Sequence, residues 1–174
     1  VLFGGAVALL PIFASDILGV GPQGLGLLRA APSAGAVVMA IFLAHYPLRA
    51  GAGRQLLIAV SGFGICMIVF GLSQSFVLSL VVLAVSGALD NISVVIRHTI
   101  VQSMTPPHMR GRVTAVNGIF IGSSNEIGAF ESGVAAKLLG VVPSVIFGGV
   151  MTQIVVGVAA LRAPKLRELD MSKP

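Results

Sequence analysis

A chain of 174 residues with 56% hydrophobic and only 10% charged residues, and a net charge of +5, has a mean hydropathy of +1.01. Soluble domains carry roughly a quarter charged residues, so water cannot solvate a surface built from this composition, and lipid must be the solvent for most of it. A single cysteine, Cys66, excludes a disulfide framework, and basic residues that sit, Arg29 and Arg97 apart, in the connections between apolar runs exclude a nucleic-acid-binding face.

Six apolar runs follow in chain order, each near the ~20 residues that a helix needs to cross a ~30 Å hydrocarbon core. The first, about 1–18, is short and contains Pro11, which kinks a helix. It opens without an initiator Met or a cleavable signal pattern, as a fragment does. The turn Gly19-Val20-Gly21-Pro22 leads to a second run, about 23–46, with Pro32 inside it. A basic loop separates it from the third, about 55–72. Ser73-Gln74-Ser75 is a polar hinge before the long fourth run, about 76–103. The fifth covers about 113–136 and the sixth about 143–161, and a basic tail, 162–174, ends the chain. Outer-membrane barrels need ~10-residue alternating strands and aromatic girdles. Trp is absent and Tyr46 is the only Tyr, so the expected fold is all-α: a polytopic bundle of six transmembrane helices over 1–161. Two groups of three runs, about 1–72 and 76–161, are compatible with an inverted repeat.

Alternate connections are basic. Arg49 and Arg54 occupy one, Arg110 and Arg112 the next, and Arg162, Lys165, Arg167 and Lys173 the tail, while the opposite connections hold Lys137 at most. The positive-inside rule places the basic connections and the C-terminus in the cytoplasm.

A charge at the bilayer centre costs at least ~2.5–3.5 kcal/mol, so intramembrane ionisable residues need a partner, a wet cavity or a function. Asp90 lies near the middle of the fourth run beside Asn91, and Arg97 follows two turns later on nearly the same face. Glu126, flanked by Asn125, falls at a similar depth in the fifth run. The two runs are consecutive and antiparallel, so the carboxylates either face each other, each raising the proton affinity of the other, or face apart with Glu126 held by local polar groups. Glu131 lies further out, off the Glu126 face. Arg29 and His98 have plain readings as a snorkelling cation and a packing residue. Gly118 and Gly122 form Gly-x-x-x-Gly, with Gly128 and Gly133 beyond. Gly62, Gly64, Gly148, Gly149 and Gly157 mark the third and sixth runs; small residues let membrane helices approach closely. No metal-ligand pattern, catalytic constellation or phosphate-binding loop is present, so no metal, cofactor or enzyme activity is expected.

Thr105-Pro106, Met109-Arg110-Gly111-Arg112-Val113, Asn117, Ser124-Asn125-Glu126, Gly128 and Glu131-Ser132-Gly133, continued by Pro164-Lys165-Leu166-Arg167-Glu168-Leu169, resemble the C-terminal half of a major facilitator superfamily transporter. The narrower resemblance is to the bacterial branch of enterobactin-type siderophore exporters and macrolide or drug efflux proteins. It implies helices seven to twelve of a twelve-helix inner-membrane transporter, a missing N-terminal six-helix partner, and proton-coupled antiport of a small amphipathic substrate by alternating access. It also implies a latching role for Arg49, Arg54, Arg110, Gly111 and Arg112. The loop Leu48-Arg49-Ala50-Gly51-Ala52-Gly53-Arg54 departs from the family pattern in lacking an acidic residue, which puts the latch in this half in doubt. The rival expectation is a membrane scaffold or sensor that transports nothing.

Overall fold

The computed structural model describes residues 5–46 and 51–162. Arg49 and the tail beyond Arg162 lie outside the described residues. In order come α1 (Gly5–Ile12), which continues into one turn of π-helix (Phe13–Ile17), α2 (Pro22–His45), α3 (Ala52–Leu72), α4 (Phe76–Met104), a single 3-10 turn (Pro107–Met109), α5 (Arg110–Leu139) and α6 (Val141–Arg162). The described residues contain no strand.

The helix ends follow from local chemistry. Pro11 removes a backbone donor inside α1, and the helix widens to π geometry just beyond it, with Leu18 N–H donating to the Phe13 carbonyl at 3.0 Å. Pro22 starts α2, where its missing N–H costs nothing. Ser73 closes α3 and links it to α4: its hydroxyl donates to the Ser75 carbonyl (3.1 Å) and accepts from the Ser79 hydroxyl (3.0 Å). Gly140 alone joins α5 to α6, at φ +93°, a conformation that side-chain-bearing residues rarely adopt.

α2, α3, α4 and α6 are each long and apolar enough to cross a membrane. The expected first span is represented by a shorter apolar helix, Ala8–Ile17. α5 has 30 residues, about 45 Å of helix, and falls short in apolarity rather than length. It carries Arg110, Arg112, Glu126, Glu131 and Lys137.

α4 packs against α2 and α3, α3 also against α6, and α5 against α1 and α6. Exchanging the triplets α1–α3 and α4–α6 turns the α1–α5 contact into the α4–α2 contact and leaves α3–α6 unchanged. Those two pairings match under the exchange, while the α5–α6 packing has no α2–α3 counterpart among the closely packed pairs. The apolar core gathers Leu10 and Phe13 of the first helix, Leu28 of α2, Phe70 of α3, Leu83 of α4 and Val145 of α6. These positions lie toward the end of the bundle that bears the short turns. Phe13 and Phe70 stack there with ring centroids 4.4 Å apart.

Two crossings bring backbones into contact. At the first, a Cβ on Gly35 would strike the Ala84 carbonyl and one on Gly87 would strike the Pro32 carbonyl. At the second, a Cβ on Gly149 would come within 2.9 Å of the Gly64 carbonyl oxygen. The Ser61 hydroxyl donates to Gln153 Oε1 (2.8 Å) and Gln153 Nε2 donates to the Ser61 carbonyl (2.6 Å), which clasps α3 to α6 one turn further on. Outward faces stay apolar and bare, with Val38 and Phe120 each 68% exposed, as suits lipid rather than water.

Alanine at Gly35 or Gly87 must displace a backbone carbonyl, so each variant should lose about 1–3 kcal/mol, the usual scale of overpacking. Alanine at Gly157, which has nothing within 4 Å, should lose nothing. Thermal midpoints in lipid nanodiscs check this, and equal midpoints for Gly35→Ala and Gly157→Ala would contradict the close crossing.

Candidate functional site

α4 presents its partners with residues spaced about every 3.5 positions. Ser79, Leu83, Ser86, Ser93 and Ile96 of this series are buried, and Asp90 and Arg97 occupy the same series at its edge. A 3.5-residue repeat keeps one seam facing a neighbouring helix. The sequence has placed two charges where small or apolar residues otherwise sit. Arg97 Nη2 lies 4.0 Å from Asp90 Oδ1, and both side chains are about half exposed. The guanidinium is also steered by its Nε, which donates to the Ser93 carbonyl at 3.2 Å. Asp90 starts about fourteen residues from the head of α4, some 21 Å along it, and so lies near mid-depth.

Asn91 turns inward. Its Oδ1 is buried and has no hydrogen-bond partner among the described residues, a condition shared by Gln55 Oε1. An unpaired buried acceptor costs about 1–3 kcal/mol. Asp90 and Arg97 thus form a charged step at the edge of the α4 seam, with the buried Asn91 acceptor next to Asp90 in the chain. Together they hold a carboxylate able to carry a proton, a cation beside it, and a free acceptor.

Asn125, Glu126 and Glu131 are exposed on α5. Among the described residues none of the three has an ion pair or side-chain hydrogen bond. The direct Asp90–Glu126 pairing allowed by the sequence is not made, because consecutive helices need not be neighbours. From the Thr105–Met109 connection α4 goes to α2 and α3, and α5 to α1 and α6. Arg29 is exposed on α2 and not paired with Glu131 among the described residues.

At the basic end Arg54 is exposed in the first turn of α3. Arg110 donates from Nε to the Thr105 carbonyl (3.2 Å), bracing the α4–α5 connection, and Gly111 and Arg112 are exposed beside it. Gly128 is buried. A Cβ at Gly118, Gly122 or Gly133 would meet nothing within 4 Å among the described residues. The close approaches belong instead to Gly35, Gly64, Gly87 and Gly149. Gly35, Gly87 and the Ser61–Gln153 clasp were not singled out from the sequence. Gln153 did carry a signal, as a lone amide in an apolar run. The described residues hold no group of three His, Cys, Asp or Glu able to bind a metal.

The sequence profile of the transmembrane secretion effector family, part of the major facilitator superfamily, matches residues 2–173. A curated relative, the multidrug efflux pump Tap of Mycolicibacterium fortuitum, is 29% identical over 154 residues, which cover 88% of this chain and 37% of the relative. The chain therefore spans little more than a third of that relative's length. No solved structure matches.

Replacing an unpaired buried acceptor with an apolar group of similar shape is neutral or stabilising, whereas breaking a pair is not. Asn91→Leu should hold or raise the thermal midpoint. Gln153→Leu, which leaves the Ser61 hydroxyl without its partner, should lower it, at a cost of about 1–2 kcal/mol of stability. The same loss in both variants would show that Asn91 is already satisfied.

Proposed function

Because this chain belongs to the transmembrane secretion effector family of the major facilitator superfamily, a family of multi-pass membrane transporters, we propose that it is the C-terminal six-helix half of a secondary active exporter. In this reading the substrate is a small amphipathic compound, a drug or a siderophore. It crosses by alternating access between two six-helix halves, the other half preceding this one. α1 and α5 complete the set of six spans, and the basic ends of the helices face the cytoplasm of a bacterial inner membrane.

One observation carries the proposal. Asp90 and Arg97 stand at the edge of the α4 seam, half exposed and loosely paired at 4.0 Å. A buried structural ion pair would be enclosed and well hydrogen-bonded, because the cost of removing charge from water demands it. This pair is open on one side, and a charged pair open to lipid is costly. A water-filled cavity between the halves relieves that cost. There the carboxylate exchanges protons with the aqueous phase, and Arg97 is the counter-charge that a proton or a cationic substrate replaces. Asn91 offers its acceptor to the same polar step. Glu126 on α5 supplies a second titratable group, acting across the cavity rather than through direct contact with Asp90.

An amphipathic substrate suits this half. Its apolar faces provide area and its few polar groups set orientation. The 29% identical multidrug efflux pump favours the drug-type cargo. Arg110 and Arg112, at the α4–α5 connection, are placed to latch neighbouring helix ends or headgroups during the motion.

The test is ethidium uptake into everted vesicles carrying the full-length native protein, the everted counterpart of efflux, driven by an imposed pH gradient. Asp90→Asn should slow extrusion at least roughly tenfold, which is about 1.4 kcal/mol of barrier, and should flatten its dependence on the gradient. Glu126→Gln should weaken the dependence on pH. Full efflux with both carboxylates neutralised would overturn proton coupling through these residues. No efflux of any amphipathic cargo by the wild type would favour a scaffold or sensor.

A further inference from the structure

A cleft of about 400 Å³ opens between the last turns of α4 and the first turns of α5. It exists because the two helices leave their short connection for different partners. Val101 of α4 faces Val116 and Phe120 of α5 across it, Met109 closes its loop end, and Arg112 and Asn117 are its polar lining. Residues 112, 116 and 120 are one turn apart, so the cleft runs about 12 Å along α5.

Depth in the bilayer gives these residues separate environments. α5 is 30 residues long, about 45 Å, and overhangs a ~30 Å hydrocarbon core by some 7 Å at each end. Arg112, two residues into the helix, therefore sits among the headgroups. Asn117 falls near the boundary and Phe120 below it. Arg110 is tied to the Thr105 carbonyl. The Arg112 guanidinium has neither an ion pair nor a hydrogen bond among the described residues.

We propose that this cleft is a binding site for one anionic phospholipid of the leaflet at the basic end. The phosphate pairs with the exposed guanidinium of Arg112. The side-chain amide of Asn117 lies at the level of the glycerol esters, and one acyl chain fills the apolar channel of Val101, Val116 and Phe120. Charge and shape both select this occupant. A soluble anion leaves the apolar walls uncovered, and a cationic amphipath is repelled by Arg112. A zwitterionic lipid brings its own positive charge to the arginine and gains less. The inference needs the membrane reading but not transport, so it stands or falls separately from the efflux assay.

The full-length native protein is extracted, washed free of bulk lipid, and offered phosphatidylglycerol or phosphatidylcholine in mixed micelles, with bound lipid counted by native mass spectrometry. The expected result is one tightly retained phosphatidylglycerol, with phosphatidylcholine about fivefold weaker, the scale of one Arg at a charged surface. Arg112→Gln, which removes the cation, and Val116→Trp, which fills the channel, should each lose the retained lipid. Arg54→Gln, in another basic connection, should keep it. Equal retention of the two lipids by the wild type needs no variant to read and overturns the proposal. So does retention by Arg112→Gln, or displacement of the lipid by excess ethidium, which would make the cleft a substrate path.

Discussion

Close backbone approach at two helix crossings is the constraint on which this bundle depends. In lipid an apolar side chain gains nothing by turning inward, because acyl chains are as apolar as leucine. Exposed Val38 and Phe120 therefore carry no penalty, and hydrophobic burial cannot choose which helices meet. Dispersion at short range and a few interhelical hydrogen bonds must do so. Gly35 against Ala84 and Gly87 against Pro32 bring α2 and α4 together. Gly64 against Gly149, with the Ser61–Gln153 clasp, does the same for α3 and α6. Because α3 also packs on α4, these contacts tie four helices into one body.

What remains is an asymmetry. α5 has one buried residue, Gly128, and holds Asn125, Glu126 and Glu131 on exposed surface. α4 has its charged step at the edge of a well-packed seam. Polar atoms inside a membrane protein are tolerated where they meet other protein or a water-lined cavity. The proposed second six-helix half would supply both to the bare faces of α4 and α5. Gly118, Gly122 and Gly133 of α5, which meet nothing within 4 Å among the described residues, fit the same account as surface open to a close neighbour.

The helix limits were legible because proline, glycine and serine mark them. The runs expected at 23–46, 55–72, 76–103, 113–136 and 143–161 lie within three residues of Pro22–His45, Ala52–Leu72, Phe76–Met104, Arg110–Leu139 and Val141–Arg162. Asp90 lies fourteen residues before the end of α4 and Glu126 sixteen after the start of α5, near the counts expected from the connection between them. Which faces meet was not legible, because adjacency in sequence does not fix adjacency in the bundle. Glu126 falls on a helix that leaves α4 behind, and the glycine pair spaced for packing, Gly118 with Gly122, meets no side chain or backbone within 4 Å among the described residues. Gly35 and Gly87 sit in unremarkable apolar runs, and their importance appears only when α2 and α4 are brought together.

The central claim is that the Asp90–Arg97 step faces water on the transport path. The most direct measurement is thiol labelling at position 90, using Asp90→Cys in the full-length native protein with Cys66→Ala, and a membrane-impermeant maleimide applied to intact cells and to everted vesicles. The account predicts labelling that depends on the side of addition and shifts when an efflux substrate is present. Absence of labelling from both sides in folded protein would place position 90 against lipid or sealed protein, and would contradict the claim.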